Sequence, residues 1–437
     1  MRDVTVIGGG AAGTLLLAQL ARLRGGADVA VVEPGTLGAG VAYGTDDPAH
    51  RLNVPAAAMS AWPDRPDHFV EWSAGRAGAA SFVSRSTYRA YLASLVPDEV
   101  RHLRTSATAL LRRGTHWTLR LADGSTVDSA QVVLATGVEA PSVAWAPQRV
   151  RRSPRFVADP WAPGALDGIE PDAPVLVVGT GLTGVDVVLT LARTGRRIRA
   201  VSRHGLLPAA HPRTPAPPLP LDAGALPHTL PGLRVLIARR ILAARARTGD
   251  WRPAIDGLRR YTGRIWTALS DADREEFLRH DARRWDVARH RMAPEAGEAL
   301  RELLRSGRLT VSMVDGPVDH DGWIVNATGP NGDVRRSVHP LTRHLLAAGT
   351  IGPGPHRIGI DTTVDGQVRD ATRHAVPGLW TLGSSRRGQL WESTAIPEIR
   401  EQAAALARQL VHHATRPPAP PGRADVSGPP APATARR

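Results

Sequence analysis

The sequence contains no cysteine and no lysine. Without cysteine, the 437 residues cannot form disulfides, thiolate metal sites, iron–sulfur clusters or a redox-active dithiol. All 55 basic residues are arginine, so the chain has neither a Schiff-base lysine nor the lysine of a phosphate-binding P-loop. These absences exclude several classes of covalent and redox chemistry within this chain.

Long apolar runs are also missing. None approaches the roughly 20 residues of a membrane-spanning helix, so we predict no membrane association. Because the first apolar run starts at Val4, we expect no targeting peptide and a cytoplasmic protein. The net charge of +14 comes from scattered arginines and not from one basic tract, so we predict no nucleic-acid partner. We also predict no metal site.

The first 33 residues contain an apolar run, a glycine-rich turn, a helical run, a second apolar run and an acid. This order predicts strand, turn, helix and strand, with the acid about 20 positions after the last glycine of the turn. The glycines allow close approach of a pyrophosphate to the helix N-terminus, and the carboxylate suits ribose hydroxyls. The residues of this predicted dinucleotide site are Gly8, Gly10, Ala12, Gly13 and Glu33.

The same pattern recurs from Val175 to Arg203. Here the second strand ends in serine and arginine and not in an acid, which favours a ribose 2′-phosphate and hence NADPH. A plain surface charge is the alternative for Arg203. The residues of this second site are Gly179, Gly181, Leu182, Thr183, Gly184, Ser202 and Arg203.

Each glycine turn is followed by a later strand that ends in Ala-Thr-Gly. These strand ends contribute Thr136 and Gly137 to the first site, and Thr328 and Gly329 to the second. The duplication predicts an α/β fold with two Rossmann-like dinucleotide-binding domains. We predict a discontinuous FAD domain (1–170 and 331–413), an NAD(P) domain (171–330) and a disordered tail (414–437).

A helical insertion is predicted at about 208–306. Its helices are expected at Leu233–Arg247, Thr262–Arg279 and Glu295–Ser306. Between the last two helices, Arg289-His290-Arg291 has two open interpretations, which are an anion site and a solvated helix end.

Near the C-terminus, a strand ending at Gly383 is followed by a helix that begins near Pro397. The free N–H groups of this helix would face the flavin's N1–C2 carbonyl edge. We therefore add Gly383, Thr394, Ala395 and Ile396 to the cofactor site.

Three runs resemble the FAD/NAD(P)-binding proteins related to flavin-dependent N-hydroxylating (class B) monooxygenases. They are Gly40-Val41-Ala42-Tyr43-Gly44, the segment from Leu52-Asn53-Val54-Pro55-Ala56 to His68-Phe69, and Gly388-Gln389-Leu390-Trp391-Glu392-Ser393-Thr394-Ala395-Ile396-Pro397. The resemblance spans nearly all of residues 1–413. Ornithine and lysine N-hydroxylases have an aspartate a few residues before an Ala-Thr-Gly. Here Asp321 precedes Ala327-Thr328-Gly329. The stretch Arg155 to Trp161 lacks the Gly and His of the Baeyer–Villiger signature.

The resemblance implies that polar side chains hold the flavin edge and that little acid–base catalysis is needed. Asn53 is the candidate for a flavin contact, with a turn-capping role as the alternative. His50 could position substrate, with loop hydrogen bonding as the alternative.

Two dinucleotide sites imply electron transfer, with FAD in the first and NADPH in the second. We predict an oxidoreductase, and specifically a monooxygenase that uses molecular oxygen. It would hydroxylate an amine or another small nucleophile through a C4a-hydroperoxyflavin, as the resemblance implies. The alternatives are an NAD(P)H-dependent flavin oxidoreductase without oxygen transfer and a flavin-bound redox sensor. A homo-oligomer is left open.

Overall fold

The structure is a computed structural model that describes residues 1–23, 27–314, 316, 318 and 320–414. The predicted tail lies outside this part of the chain except for its first residue, which ends a helix. The strands are β1 (Arg2–Ile7), β2 (Val29–Val32), β3 (Arg101–Leu103), β4 (Ala107–Arg113), β5 (His116–Leu121), β6 (Thr126–Leu134), β7 (Glu139–Pro141), β8 (Phe156–Val157), β9 (Val175–Val178), β10 (Ile198–Ser202), β11 (Leu309–Met313), β12 (Trp323–Asn326), β13 (Pro330–Asn331), β14 (Gln367–Arg369) and β15 (Ala375–Thr381). The helices are α1 (Ala11–Arg22), α2 (Gly40–Tyr43), α3 (His68–Trp72), α4 (Arg85–Ala93), α5 (Gln148–Arg151), α6 (Leu182–Leu191), α7 (Leu230–Thr248), α8 (Arg252–Asp256), α9 (Thr262–Ala268), α10 (Asp271–His280), α11 (Ala282–Arg289), α12 (Pro294–Arg305), α13 (Pro340–Ala347), α14 (Arg387–Leu390) and α15 (Ile396–Ala414).

The larger sheet has the order β14–β15–β6–β1–β2–β3, and the β4–β5 hairpin joins it through β6. The four pairings from β15 to β3 are parallel, as expected where central strands such as β1 and β2 are apolar and buried on both faces. Val4 and Val6 pack against α1 and α15 on one face, while Ile7 and Val132 belong to the cluster that includes α13 on the other. The carboxyl ends of β1, β6 and β15 therefore share one edge of the sheet.

The smaller sheet is entirely parallel, with the order β11–β10–β9–β12–β8. Its core includes buried residues of β9, α6 and α12, such as Val177, Val188 and Leu300. The predicted fold class, an α/β protein with Rossmann-type elements, is confirmed. The predicted domain boundaries stay a prediction.

Helices α7 to α12 all lie between β10 and β11. One predicted helix is wrong, because Thr262–Arg279 is broken into α9 and α10. Leu269 adopts an extended conformation (ψ 145°), and the Ser270 side chain accepts a hydrogen bond from the Asp273 N–H at 3.1 Å. The serine caps the new helix and satisfies one of its free donors, which fixes the break. These helices share an apolar cluster with Trp391, which comes from outside the insertion.

Candidate dinucleotide sites

The first glycine turn leaves no room for side chains. Gly8 has φ +107°, and a Cβ built on it would lie 2.3 Å from the carbonyl oxygen of Ala135. A Cβ on Gly13 would lie 1.9 Å from the carbonyl oxygen of Gly8. Gly10 precedes α1 and provides no side-chain cap, so the helix N-terminus offers backbone N–H groups. This geometry suits a bound pyrophosphate.

Glu33 follows β2 and lies beside the same turn. Its carboxylate accepts hydrogen bonds from the Gly9 N–H at 2.8 Å and the Gly35 N–H at 2.9 Å. A carboxylate has about four acceptor positions, so two remain for ribose hydroxyls. The backbone thus fixes the acid at the end of its strand.

The second glycine turn repeats the first in detail. Gly179 has φ +118°, and its Cβ would lie 2.1 Å from the carbonyl oxygen of Ala327. A Cβ on Gly184 would lie 2.2 Å from the carbonyl oxygen of Gly179, and Gly181 precedes α6 without a side-chain cap. Leu182 and Thr183 form the first turn of α6. In both halves, the carbonyl oxygen of the alanine in Ala-Thr-Gly therefore leaves no room for a side chain at the first glycine of the turn.

Ser202 and Arg203 lie at the end of β10, as the sequence predicts. The Ser202 hydroxyl is hydrogen bonded to Thr180 Oγ1 at 2.7 Å and accepts from the Gly205 N–H at 3.0 Å. Arg203 is exposed. The serine therefore stabilises the loop beside the turn, while the arginine is free to meet a ligand.

The sequence did not identify Arg283 of α11, which lies over the second turn. Its Nη2 donates to the Thr180 carbonyl at 3.1 Å and to the Leu206 carbonyl, and Nη1 is 3.8 Å from the Cβ position of Gly181. Burial lowers the pKa of Arg283; nearby Asp286 raises it, and Arg203 lowers it further. Two guanidinium groups thus lie near this turn. No local pattern marks Arg283, because it lies about a hundred residues away in sequence.

The two Ala-Thr-Gly motifs are joined by their following residues. Directly after them, β7 pairs antiparallel with β13, with Pro330 opposite Pro141. The glycines of both motifs have positive φ, +76° for Gly137 and +82° for Gly329. A cleft of about 70 Å³ lies here, and its lining includes Thr136, Gly137 and Thr394. Thr328 lies outside that lining, and its hydroxyl donates to the Asn326 side chain at 2.8 Å.

The start of α15 lies near the start of α1. A Cβ on Gly383 would lie 3.3 Å from the Ala12 Cβ, and the Gly383 N–H donates to Gln402 of α15 at 3.0 Å. The Ala395 carbonyl accepts from the N–H groups of Glu398 and Ile399, the third and fourth residues of the helix. Thr394 is exposed and Ile396 is buried. These four predicted residues thus lie around one helix N-terminus.

His50 is buried between the loop that carries it and α6. Its Nδ1 is 2.8 Å from Thr45 Oγ1, and its Nε2 is 2.8 Å from Thr190 Oγ1 and 3.6 Å from Asp47 Oδ2. Both ring nitrogens are therefore engaged within the protein, in agreement with the alternative of a loop hydrogen-bonder. Burial lowers its pKa, although the Asp186 and Asp47 carboxylates oppose this. Its catalytic role stays a prediction.

Asn53 is half-buried, and its carbonyl oxygen is 3.1 Å from His211 Nε2. Because the carbonyl can only accept, this nitrogen of His211 donates. Burial and nearby Arg291 lower the pKa of His211 to about 4, so the ring is neutral. A contact of the Asn53 side chain with flavin stays a prediction.

Two further sequence features have defined positions. Asp321 is exposed and precedes β12, so the whole strand separates it from Thr328 at the other end.

Arg289 and Arg291 are buried, at 7% and 2% exposure. The interpretation of Arg289-His290-Arg291 as a solvated helix end is therefore wrong.

Comparison with known proteins agrees with this geometry. Residues 5–139 match the family model described as FAD-NAD(P)-binding. None of the curated proteins matches the chain in sequence. No helix among the described residues is both long and apolar enough to span a bilayer.

Several solved structures share the fold over nearly the whole chain. The ornithine N-hydroxylase from Kutzneria sp. 744, solved with reduced FAD, NADP⁺ and L-ornithine, has 14% identity and a TM-score of 0.61, covering 94% of this chain and 99% of its own. The L-lysine 6-monooxygenase from Pseudomonas syringae has 16% identity and a TM-score of 0.61, covering 95% and 100%. The bacillithiol disulfide reductase from Staphylococcus aureus has 11% identity and a TM-score of 0.56, covering 94% and 98%. At these identities the likeness establishes the fold, which monooxygenases and reductases share.

Proposed function

We propose that this chain is an FAD- and NADPH-dependent monooxygenase that hydroxylates an amine or another small nucleophile. One observation carries the proposal: a single chain contains two glycine turns whose first and last glycines leave no room for a Cβ, each closed by its own Ala-Thr-Gly strand end. A flavoprotein that accepts hydride from a nicotinamide needs two dinucleotide sites. The N-terminal match to an FAD-NAD(P)-binding family supports the assignment.

The residues present fit the two dinucleotides. Around the first turn, the N-terminus of α1 would bind the FAD pyrophosphate and Glu33 would accept from a ribose hydroxyl. The N-terminus of α15, at Thr394 to Ile396, would stabilise negative charge at the flavin's carbonyl edge. When bound, FAD supplies the transfer of electrons from the nicotinamide to oxygen.

Around the second turn, backbone N–H groups of α6 would bind the NADPH pyrophosphate. Arg283 would contact these phosphates, and Arg203 would pair with the ribose 2′-phosphate through charge-assisted hydrogen bonds. Both roles need only positively charged donors. His50, hydrogen bonded to Thr45 and Thr190, and His211, which donates to the Asn53 carbonyl, fit structural roles better than proton transfer.

The final electron acceptor distinguishes the proposal from a reductase. The chain has no cysteine, so a disulfide relay through its own thiols is not available. Fold likeness to two amino-acid N-hydroxylases favours oxygen and a small amine. An NAD(P)H-dependent flavin oxidoreductase is the second candidate, because disulfide reductases share the fold.

The test is turnover under ¹⁸O₂. FAD-loaded protein and NADPH would be incubated with a panel of amines and amino acids, and products would be analysed by mass spectrometry. We expect one panel member to accelerate NADPH oxidation and to gain a single ¹⁸O atom. The matched control is Gly8→Ala, which should lack FAD and produce nothing. If no panel member gains label, and the electrons of NADPH are recovered as hydrogen peroxide, or as a reduced quinone when one is added to the assay, the second candidate is favoured.

A further inference from the structure

Within the part of the chain that the structure describes, two buried arginines carry side-chain nitrogens that meet no hydrogen-bond acceptor. These nitrogens are Nε and Nη2 of Arg289, and Nε and Nη1 of Arg291. Both side chains are more than nine-tenths buried. A buried donor without an acceptor loses its hydration and gains nothing in return, so four such nitrogens in one place are unusual.

The neighbouring carboxylates do not satisfy these nitrogens. Arg291 bonds Asp256 through Nη2 alone. Glu392 and Glu398 are 3.6 and 4.0 Å from Arg289 Nη2, beyond hydrogen-bonding distance. Both oxygens of Glu398 accept from Arg259, at 2.9 and 3.1 Å.

Glu392 is also engaged elsewhere. Its Oε1 accepts from Trp285 Nε1 at 3.3 Å and lies 3.7 Å from His290 Nε2. Arg252 already donates hydrogen bonds to the Ala210 carbonyl at 2.9 Å and to Asp250. The flanking acids therefore balance the charge of the cluster without filling the donor positions of Arg289 and Arg291.

The positive groups of this cluster influence one another. Burial is the largest cause that lowers the pKa of Arg289 and of Arg291, and Arg289 further lowers the pKa of Arg291. Both arginines also lower the pKa of His211. A bound anion would relieve this repulsion and accept from the unpaired nitrogens.

The cluster adjoins the predicted flavin contacts on two sides. His211 donates to the Asn53 carbonyl, and Glu392 is two residues from Thr394. The inference rests on the proposed function, which puts the flavin's carbonyl edge at the N-terminus of α15; Arg289 Nη2 lies 4.0 Å from Glu398 in the first turn of that helix, so the cluster would adjoin the substrate.

We propose that the substrate is a carboxylate, and that Arg289 and Arg291 bind its carboxylate group. The guanidinium fork matches two carboxylate oxygens, and four arginine nitrogens remain free to donate. A monoanion suits the position better than phosphate, because Glu392, Glu398 and Asp256 would repel a dianion more strongly. The amine to be oxygenated would then lie on the flavin side.

The test titrates FAD-loaded protein with butyrate, butyramide, butylamine and inorganic phosphate in the absence of NADPH. Binding is followed by the flavin difference spectrum and by the midpoint of thermal unfolding. We expect butyrate to bind at least tenfold more tightly than butyramide, butylamine or phosphate. Equal affinity for butyrate and butyramide, or tighter binding of phosphate, would overturn the proposal.

Variants locate the site. Arg289→Gln alone would leave the buried charge of Glu392 without the nearby positive charge of Arg289. We therefore combine it with Glu392→Gln, which removes both charges together. The double variant should keep its FAD and its far-ultraviolet spectrum and lose at least tenfold in butyrate affinity. Arg284→Gln, on the exposed side of the same helix, should bind butyrate normally. Wild-type affinity in the folded double variant would contradict the proposal.

This result is separate from the outcome of the ¹⁸O experiment. The titration needs no turnover, and its thermal readout needs no flavin. A protein that binds butyrate through Arg289 but labels no product retains the carboxylate site and loses the monooxygenase assignment. A protein that labels an amine lacking a carboxylate and does not bind butyrate keeps the monooxygenase assignment and loses the carboxylate site.

Discussion

At the scale of single residues, Gly179 tests whether the chain has two independent nucleotide sites. In Gly179→Ala the new methyl group would lie 2.1 Å from the Ala327 carbonyl oxygen, at φ +118°. The turn must open, so the KM for NADPH should rise at least tenfold, which is about 1.4 kcal/mol of binding free energy. The FAD content should stay unchanged. Steady-state kinetics and the flavin absorbance check both.

Gly195→Ala is the matched control, because it introduces backbone strain without a steric clash. Gly195 also has a positive φ, +84°, but no non-neighbouring atom of the described residues lies within 4 Å of its Cβ position. This variant should lose about 1 kcal/mol of stability and keep its KM for NADPH. If both variants raised the KM equally, general destabilisation would explain the effect, and the second turn would not be a specific nucleotide site.

At the scale of elements, local patterns predicted the strands and turns of both sites. The apolar runs of β1, β2, β9 and β10 end where each predicted turn or charged residue begins. The break at Ser270 also had a local signal, since Ser270 and Asp273 are typical of a helix start. Arg283 and His211 had no such signal, because helical insertion packing, and not sequence spacing, brings them to Thr180 and Asn53.

Trp391 links the helical insertion to the segment before α15. It has φ +62°, a conformation that costs roughly 1–2 kcal/mol for a side chain. Its ring stacks on Trp266 at 4.9 Å and contacts Phe277 edge-on at 5.3 Å. Truncating a buried tryptophan typically costs about 3–5 kcal/mol, so packing outweighs the strain.

Trp391→Gly should therefore destabilise the protein by about 2–3 kcal/mol, the packing loss less the relieved strain. Urea unfolding of the FAD-loaded protein measures the change. Ala74→Gly relieves another positive φ, +49°, at an exposed position, and should leave stability equal or slightly higher. A stabilised Trp391→Gly would mean that strain, and not packing, dominates at this segment.

At the scale of the whole molecule, buried and half-buried histidines connect segments far apart in the sequence and should set the acid stability. His50 joins the first half of the chain to α6, and His211 joins the loop at Asn53 to the helical insertion. Burial lowers the pKa of both, and likewise that of His290. The folded protein therefore holds these rings neutral where the unfolded chain would protonate them.

The sign of the pH dependence follows from proton linkage. Between the unfolded histidine pKa of about 6.5 and the folded value of about 4 for His211, the unfolded state binds more protons. The free energy of unfolding should therefore fall as the pH drops through this range. Asp186, whose pKa is raised by burial, acts in the opposite direction, but it is one group against four histidines, because burial lowers the pKa of His68 as well. Urea titrations at half-unit steps from pH 7 to pH 4 measure the slope.

His211→Gln measures how much one histidine contributes to the pH dependence of the free energy of unfolding. Glutamine can still donate to the Asn53 carbonyl, but it cannot take up a proton. The slope between pH 6.5 and pH 4 should become shallower by up to about 1.4 kcal/mol per pH unit, the value for one proton. The exposed His204 provides the control, because His204→Gln should leave the slope unchanged. An unchanged slope in His211→Gln would mean that the ring is protonated in the folded protein, which its buried position beside Arg252, Arg289 and Arg291 argues against.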